Sequence, residues 1–183
     1  MFVLFLSWHA ILQYLTRLLT LPHSAGDAYI CSSGCALTEE GKALVTPARR
    51  MLGFAEELLR ITESLPMIEG WDKPIRMRVG MHTGPVIAAA MGVLSYKFTF
   101  IGDTVNTAAR MESHGMPGCV HLSAPCFQTL VSEGAADEEF LPLGDIEIKG
   151  KGLMHTYIAK VGSEWEAAVE ASQPPSYSLW SRN

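Results

Sequence analysis

The sequence lacks the features that mark several classes of protein. Only 18% of its 183 residues are charged, and the net charge of -5 argues against a surface that binds DNA or RNA through the backbone. The four cysteines form no CxxC pair and have no histidine at zinc-finger spacing, which argues against a structural metal. Neither a GxxxxGK(S/T) loop nor a GxGxxG motif is present, so a Walker-type NTPase and a Rossmann enzyme are poor interpretations.

The chain does contain an apolar N-terminal run of 22 residues, MFVLFLSWHAILQYLTRLLTLP. It has neither a positive first segment nor an A-x-A-like cleavage site, so it does not predict a signal peptide. His9, Gln13 and Arg17 interrupt it, so it does not predict a membrane span either. Two interpretations stay open: an amphipathic helix that packs on a partner or a membrane surface, and unrelated sequence joined to a truncated domain.

Hydrophobic periodicity divides the following residues into strands and helices. Residues 29–32 predict a short strand, and Thr46 and Pro47 predict the start of a long helix. The alternation over 75–81 predicts a further strand. The apolar run at 86–91 predicts either the hairpin partner of that strand or its continuation after a bend.

The second half of the chain continues this pattern. The predicted elements are strands near 96–101, 120–122, 146–148 and 156–160, and helices at 104–114 and 125–133. Strands that alternate with single helices indicate an α+β sandwich, with helices on one face of a largely antiparallel sheet. One domain is the expectation at this length. The serine- and proline-containing end of the chain predicts a loose tail.

Polar residues in the predicted helix 104–114 are the first candidates for chemistry. Asn106 and Arg110 are four residues apart, so on a helix they project from the same face. An amide beside a guanidinium suits negative charge that develops on phosphate oxygens. Taken alone, the spacing favours the plainer interpretation, an exposed arginine and a helix-capping polar residue.

Two further candidates lie in turns. Lys149 and Lys151 are flanked by glycines, which let a backbone approach a ligand, and a lysine there can reach a phosphate. Asp27 follows a glycine and precedes a predicted strand, a frequent place for a carboxylate that holds Mg²⁺. Taken alone, each pattern favours an ordinary solvated turn.

Taken in order, four segments closely resemble the class III adenylate and guanylate cyclases. They are GDAY at 26–29, MRVGMHTGPV at 77–86, FIGDTVNTAARMES at 100–113 and IKGKG at 148–152. The resemblance runs from about residue 26 to 159, and the residues of its motifs are closer to the guanylate cyclase branch. It implies a ferredoxin-like α+β sandwich of the nucleotide cyclase type.

The resemblance also implies roles for single residues. Asn106 matches the asparagine that orients the ribose, and Arg110 the arginine that stabilises the transition state at the phosphates. Lys149 matches the lysine that binds the triphosphate, and Thr99 one of two positions that read the purine. Asp27 matches the second of two aspartates that hold two Mg²⁺ or Mn²⁺ ions.

The implied reaction turns GTP or ATP into the cyclic 3′,5′-monophosphate and pyrophosphate, so the chain is expected to be a phosphorus–oxygen lyase in intracellular signalling. In the family one domain supplies the aspartates and the other the asparagine and arginine. A second cyclase domain, as homodimer or heterodimer, is therefore the expected partner. The expected location is cytoplasmic, alone or as the cytosolic part of a membrane-associated cyclase.

The sequence departs from the family at its start. The family's domain opens with a strand that carries the first metal aspartate in a phenylalanine-x-aspartate-isoleucine type motif, and no such motif precedes Asp27. The first strand and its helices are therefore expected to be missing, and the isolated chain is expected to have very low activity. The second purine-reading position falls on His23, which is neither the lysine of ATP enzymes nor the glutamate of GTP enzymes.

The predicted organisation is a non-matching segment at 1–25, a partial cyclase domain at 26–160 and a loose tail at 161–183. Two alternatives to a complete enzyme remain. The chain is either a catalytically incomplete partner half of a cyclase dimer, or a non-enzymatic ferredoxin-like binding module.

Overall fold

The computed structural model describes residues 2–7, 20–25, 28–34, 46–65, 76–91, 97–162 and 165–171. The strands in these ranges are β1 (Phe2–Ser7), β2 (Thr20–Ala25), β3 (Ala28–Ser33), β4 (Val79–Thr83), β5 (Ile87–Met91), β6 (Lys97–Ile101), β7 (Val120–Ser123), β8 (Phe140–Ile148) and β9 (Gly152–Ala159). The helices are α1 (Pro47–Glu63), α2 (Asp103–Ser113), α3 (Ala124–Ser132) and α4 (Trp165–Ala171), with a 3₁₀ turn at Asp137–Glu139.

Seven of these strands form one sheet in the order β2-β3-β1-β4-β7-β9-β8. Within it β4 and β7 pair in parallel, and the other described pairs are antiparallel. The remaining strands, β5 and β6, pair with each other as a separate antiparallel hairpin. Residues 86–91 therefore belong to a hairpin with β6, and neither a hairpin with β4 nor one bent strand forms.

Helices cover both faces of the sheet, which corrects the expectation of helices on one face. Val79 and Met81 of β4 share a buried cluster with Leu58 of α1 and Leu130 of α3. Gly80, between them, faces the other way and lies against α2. Alternate residues of a strand point to opposite faces. The apolar side chains of β4 therefore pack against α1 and α3 on one face, and its glycine lets α2 pack on the other.

The contact between β4 and α2 is unusually close. A Cβ atom at Gly80 would lie 2.1 Å from the backbone nitrogen of Glu112, and one at Gly84 would lie 2.5 Å from Thr104 Oγ1. Glycine is required where a helix backbone approaches a strand this closely. The two contacts also show that α2 runs antiparallel to β4, with its N-terminus over the C-terminal end of the strand.

A strand was not expected in the N-terminal segment, yet β1 lies inside the sheet between β3 and β4. The expectation that the first strand is missing is therefore wrong. The six residues FVLFLS have strand length and an almost continuous apolar character, as strands flanked by other strands in a covered sheet do. This strand signal is hidden in the sequence, because β1 is the first part of an apolar run of 22 residues.

The C-terminal segment also differs from the loose tail predicted for 161–183. Trp165–Ala171 form α4, and Ala168 is buried against Cys119 and Ile158. This small cluster holds the helix on the sheet. Residues 172–183 lie outside the described ranges.

Candidate active site

The start of α2 is fixed by several independent contacts. Gly102 joins β6 to α2 with a φ of 148°, a conformation that L side chains rarely adopt. The Thr104 hydroxyl donates to the carbonyl oxygen of Pro85 at 2.6 Å, which ties the helix to the segment after β4. The Thr107 hydroxyl donates to the carbonyl oxygen of Asp103 at 2.9 Å. The first turn of α2 is therefore a rigid platform.

This helix carries two of the predicted site residues, Asn106 and Arg110. Both lie within Asp103–Ser113, one helical turn apart, as predicted. Asn106 is exposed and Arg110 is half-buried. Within the described ranges no hydrogen bond or ion pair engages either side chain, so both can bind a ligand.

The turn between β8 and β9 presents the lysine that the resemblance singles out. The Lys151 backbone nitrogen donates to the carbonyl oxygen of Ile148 at 2.8 Å and closes the turn, with Gly150 at a φ of 76°. Lys149 is exposed at its tip. The Lys151 ammonium donates to the carboxylate of Asp103, so the turn is joined to the first turn of α2, just before Asn106.

A histidine lies beneath this junction. His82 Nδ1 is 2.6 Å from the hydroxyl of Ser123, across the parallel pair of β4 and β7. Burial lowers the pKa of His82 to about 4, an effect that the charge of Lys151 reinforces and the charge of Asp103 opposes. The imidazole is therefore neutral at neutral pH, and it supports the junction without adding charge to it.

Asp103 and His82 were missed by the sequence analysis as parts of this region. The only available signal was their position inside the GDTVN and MHTGP segments that carry the resemblance. Nothing in residue spacing predicts that Asp103 meets a lysine 48 positions later.

The remaining predicted residues are less fully described. Thr99 is half-buried on β6, opposite Ala89 of β5, and β6 leads directly into α2. His23 belongs to β2, where it pairs with Ile30. Asp27 lies outside the described residues and immediately precedes β3.

The described residues contain no group suited to a metal ion. In these ranges, which do not include Asp27, no three His, Cys, Asp or Glu side chains come together as a metal-binding group. The strand β1 contains no carboxylate. Its last residue, Ser7, pairs with Ala28, which directly follows Asp27. The strand β1 therefore brings no second carboxylate to this end of β3.

Comparison with known proteins gives the family. Residues 22–161 match the family model described as "Adenylate and Guanylate cyclase catalytic domain". The chain belongs to that family. The match leaves the binding-module alternative without support.

Similar proteins agree with the assignment. The chain is 42% identical over 132 residues to guanylate cyclase soluble subunit beta-2 of Rattus norvegicus, covering 72% of this chain and 18% of that protein. It is 38% identical over 134 residues to guanylate cyclase 2D of the same species, covering 72% of this chain and 11% of that protein. The chain therefore spans less than a fifth of these relatives.

The fold prediction is confirmed by solved structures. The guanylate cyclase domain of RhGC from Catenaria anguillulae, in complex with GTP, matches with a TM-score of 0.68 at 25% identity, covering 88% of this chain and 96% of that one. The adenylyl cyclase CyaB from P. aeruginosa shares the fold, with a TM-score of 0.64 at 20% identity, covering 88% and 94%. Among the described helices, none combines the length and apolar character needed to cross a bilayer.

Proposed function

We propose that this domain works in a cyclase dimer as the half that supplies Asn106, Arg110 and Lys149, while the metal-binding aspartates come from the partner domain. The observation that supports this proposal most strongly is a contrast between two parts of the domain. The cationic region, made of α2 and the β8–β9 turn, is held together by the Lys151–Asp103 ion pair, whereas the strand β1 contains no carboxylate. The proposed partner is a second cyclase domain that keeps both aspartates.

The proposed substrate is a purine nucleoside triphosphate. Its ribose 3′ oxygen forms a bond to the α-phosphorus, the bond from that phosphorus to pyrophosphate breaks, and the hydroxyl proton is lost. Such phosphoryl transfer depends on positioning and on stabilising charge at the phosphate oxygens, with little covalent help from the protein. Amide, guanidinium and ammonium groups can do both.

Each side chain has a separate task in this proposal. Asn106 orients the ribose with its amide, which both donates and accepts hydrogen bonds. Arg110 directs its planar set of N–H donors at the charge that develops around the α-phosphorus. Lys149, exposed at the tip of its turn, holds the rest of the triphosphate as a point charge.

GTP is the substrate that we propose first, with ATP as the alternative. The relatives that share 38–42% identity carry guanylate cyclase names. Thr99 is compatible with either base, because a hydroxyl can donate to a carbonyl or accept from an amino group. The proposed setting is the cytoplasm, where both triphosphates are available.

The experiment restores function in trans. The chain is mixed with a cyclase domain that has both aspartates but lacks its own equivalent of Arg110, and product is measured with GTP or ATP in Mg²⁺ or Mn²⁺. We expect cyclic nucleotide from the mixture and very little from either domain alone. If the two folded domains associate and still make no product, the proposal is wrong. Isolated-chain turnover equal to that of a complete cyclase domain would also contradict it.

A further inference from the structure

The two lysines of the β8–β9 turn have different surroundings. Lys149 is exposed, and no other described side chain bonds to it. The side chain of Lys151 is 25% exposed and its ammonium is bonded to the Asp103 carboxylate. Two residues of the same type in one turn are thus divided between a free cation and a paired one.

The geometry of the turn explains this division. Ile148 is fully buried and fixes the end of β8, and the Lys151 amide closes the turn on the Ile148 carbonyl at 2.8 Å. Gly150, with a φ of 76°, sits at the third of the four positions, where type II turns require it. Lys149 is left at the second position, at the tip, and Lys151 at the fourth position, beside α2.

Asp103 is a fixed attachment point for this turn. It is the first residue of α2, and its carbonyl oxygen accepts the Thr107 hydroxyl at 2.9 Å. The next residue, Thr104, is bonded to Pro85, and the helix lies directly on Gly80 of β4. A turn bonded to Asp103 is therefore positioned relative to the whole of α2.

On this geometry, and resting on the proposed function, we infer that Asp103 and Lys151 form a positioning pair. The pair holds the β8–β9 turn against the first turn of α2, so that Lys149 keeps a fixed place relative to Asn106 and Arg110. Lys151 binds the protein and Lys149 binds the triphosphate.

Charge and exposure support a positioning role rather than a stabilising one. The hydrogen bond from Lys151 lowers the pKa of Asp103, so the carboxylate is ionised and the pair is charged at neutral pH. Asp103 is largely exposed, and exposed ion pairs contribute little to folding. Lys149 is proposed to hold the triphosphate before and during the reaction alike, so its displacement should weaken substrate binding more than it slows the chemical step.

The test measures KM and kcat of the mixed dimer for Asp103→Asn, Lys151→Met and the double variant. Because both changes release the same turn, we expect each single variant to raise KM about tenfold, with kcat changed less than twofold. The double variant should be no worse than either single one. The reversed pair, Asp103→Lys with Lys151→Asp, should recover part of the loss. Amide hydrogen exchange at residues 149–152 should become faster in Asp103→Asn.

The matched control is Asp145→Asn, which changes an exposed hydrogen bond with His155 Nδ1 on the same hairpin, at 3.0 Å. It should leave KM and the exchange of the turn unchanged. An effect of Lys151→Met without one of Asp103→Asn would make Lys151 a phosphate ligand and overturn the inference. A lower Tm in both variants at unchanged KM would assign the pair to stability alone. A wild-type mixture that makes no product would instead reject the proposed function, and the positioning role with it.

Discussion

Two regions of this domain differ in the side chains that they offer to a ligand. The cationic region, made of α2 and the β8–β9 turn, has a helix packed directly on a strand and a turn bonded to that helix. The strand β1 is paired on both sides but carries no carboxylate. Strand pairing uses backbone groups and accepts many apolar side chains, whereas metal binding needs particular oxygen donors. A strand can therefore keep its place in the sheet whether or not it carries a metal ligand.

The largest effect is expected from removing the guanidinium of the cationic region. Arg110→Ala should reduce product formation by the mixed dimer on the order of 100-fold, because loss of a preorganised charge-stabilising donor costs about 3 kcal/mol. The free energy of unfolding should change by no more than about 0.5 kcal/mol, since no other described side chain bonds to Arg110. Initial rates and urea unfolding check the two parts.

Arg60→Ala is the control for this change, because it removes an exposed arginine from α1 that is paired with Glu57. It should leave the mixed-dimer rate unaltered. Equal losses of rate in the two variants would mean that the cationic region is not the catalytic half.

The second effect concerns acid stability, because two histidines beneath α2 are neutral in the fold. Burial lowers the pKa of His82 and of His121 to about 4, from 6.5. Both histidines take up protons more readily in the unfolded chain. Their contribution to the free energy of unfolding is therefore complete above pH 6.5 and is lost as the pH falls towards 4. For fully buried His121 this amounts to about 3 kcal/mol between those limits.

Urea unfolding at pH 6.5 and pH 4.5 measures this dependence. His121→Leu should be less stable at neutral pH, because the bond of Nδ1 to the Met111 carbonyl oxygen at 2.7 Å is lost, and its stability should change less with pH. Gln128 on α3 is exposed and carries no charge, so Gln128→Ala is the control and should retain the wild-type slope. A pH-independent wild type in this range would contradict the assignment.

Local patterns in the sequence predicted most of the fold. The start of α1 at Pro47 after Thr46, the span of α2 and the strand β7 follow from capping residues and periodicity, which act over a few positions. The strands β8 and β9 were predicted only in part, at 146–148 and 156–160. The placement of α2 on the second face of the sheet depends on Gly80, which has no side chain to separate the helix from the strand. A single glycine within an apolar strand does not predict this contact, because the helix that packs on it lies far along the chain.

The candidate site was predictable to a different extent. Asn106, Arg110 and Lys149 were found because they lie in motifs, and their catalytic roles remain predictions. The pairing of Asp103 with Lys151 joins positions 48 residues apart, so no local pattern could reveal it. The pairing of Ser7 with Ala28 was hidden for the same reason, together with the apolar run around β1.

The smallest effect tests the comparison from the side of Asp27. If the partner domain supplies the metal-binding aspartates, as proposed, the Asp27 carboxylate takes no part in the reaction. Asp27→Asn keeps the size of the side chain and removes its charge, so it should change the rate of the mixed dimer by less than about twofold. Initial rates with Mg²⁺ or Mn²⁺ measure this.

The matched variant changes an aspartate of the partner domain to asparagine. It should reduce product formation on the order of 100-fold or more, because the metal ions share the charge that develops in the reaction. A large loss of rate in Asp27→Asn, with the association of the two domains unchanged, would mean that this chain still contributes a metal ligand. The absence of a carboxylate from β1 would then no longer divide the two regions into a catalytic and a deficient one.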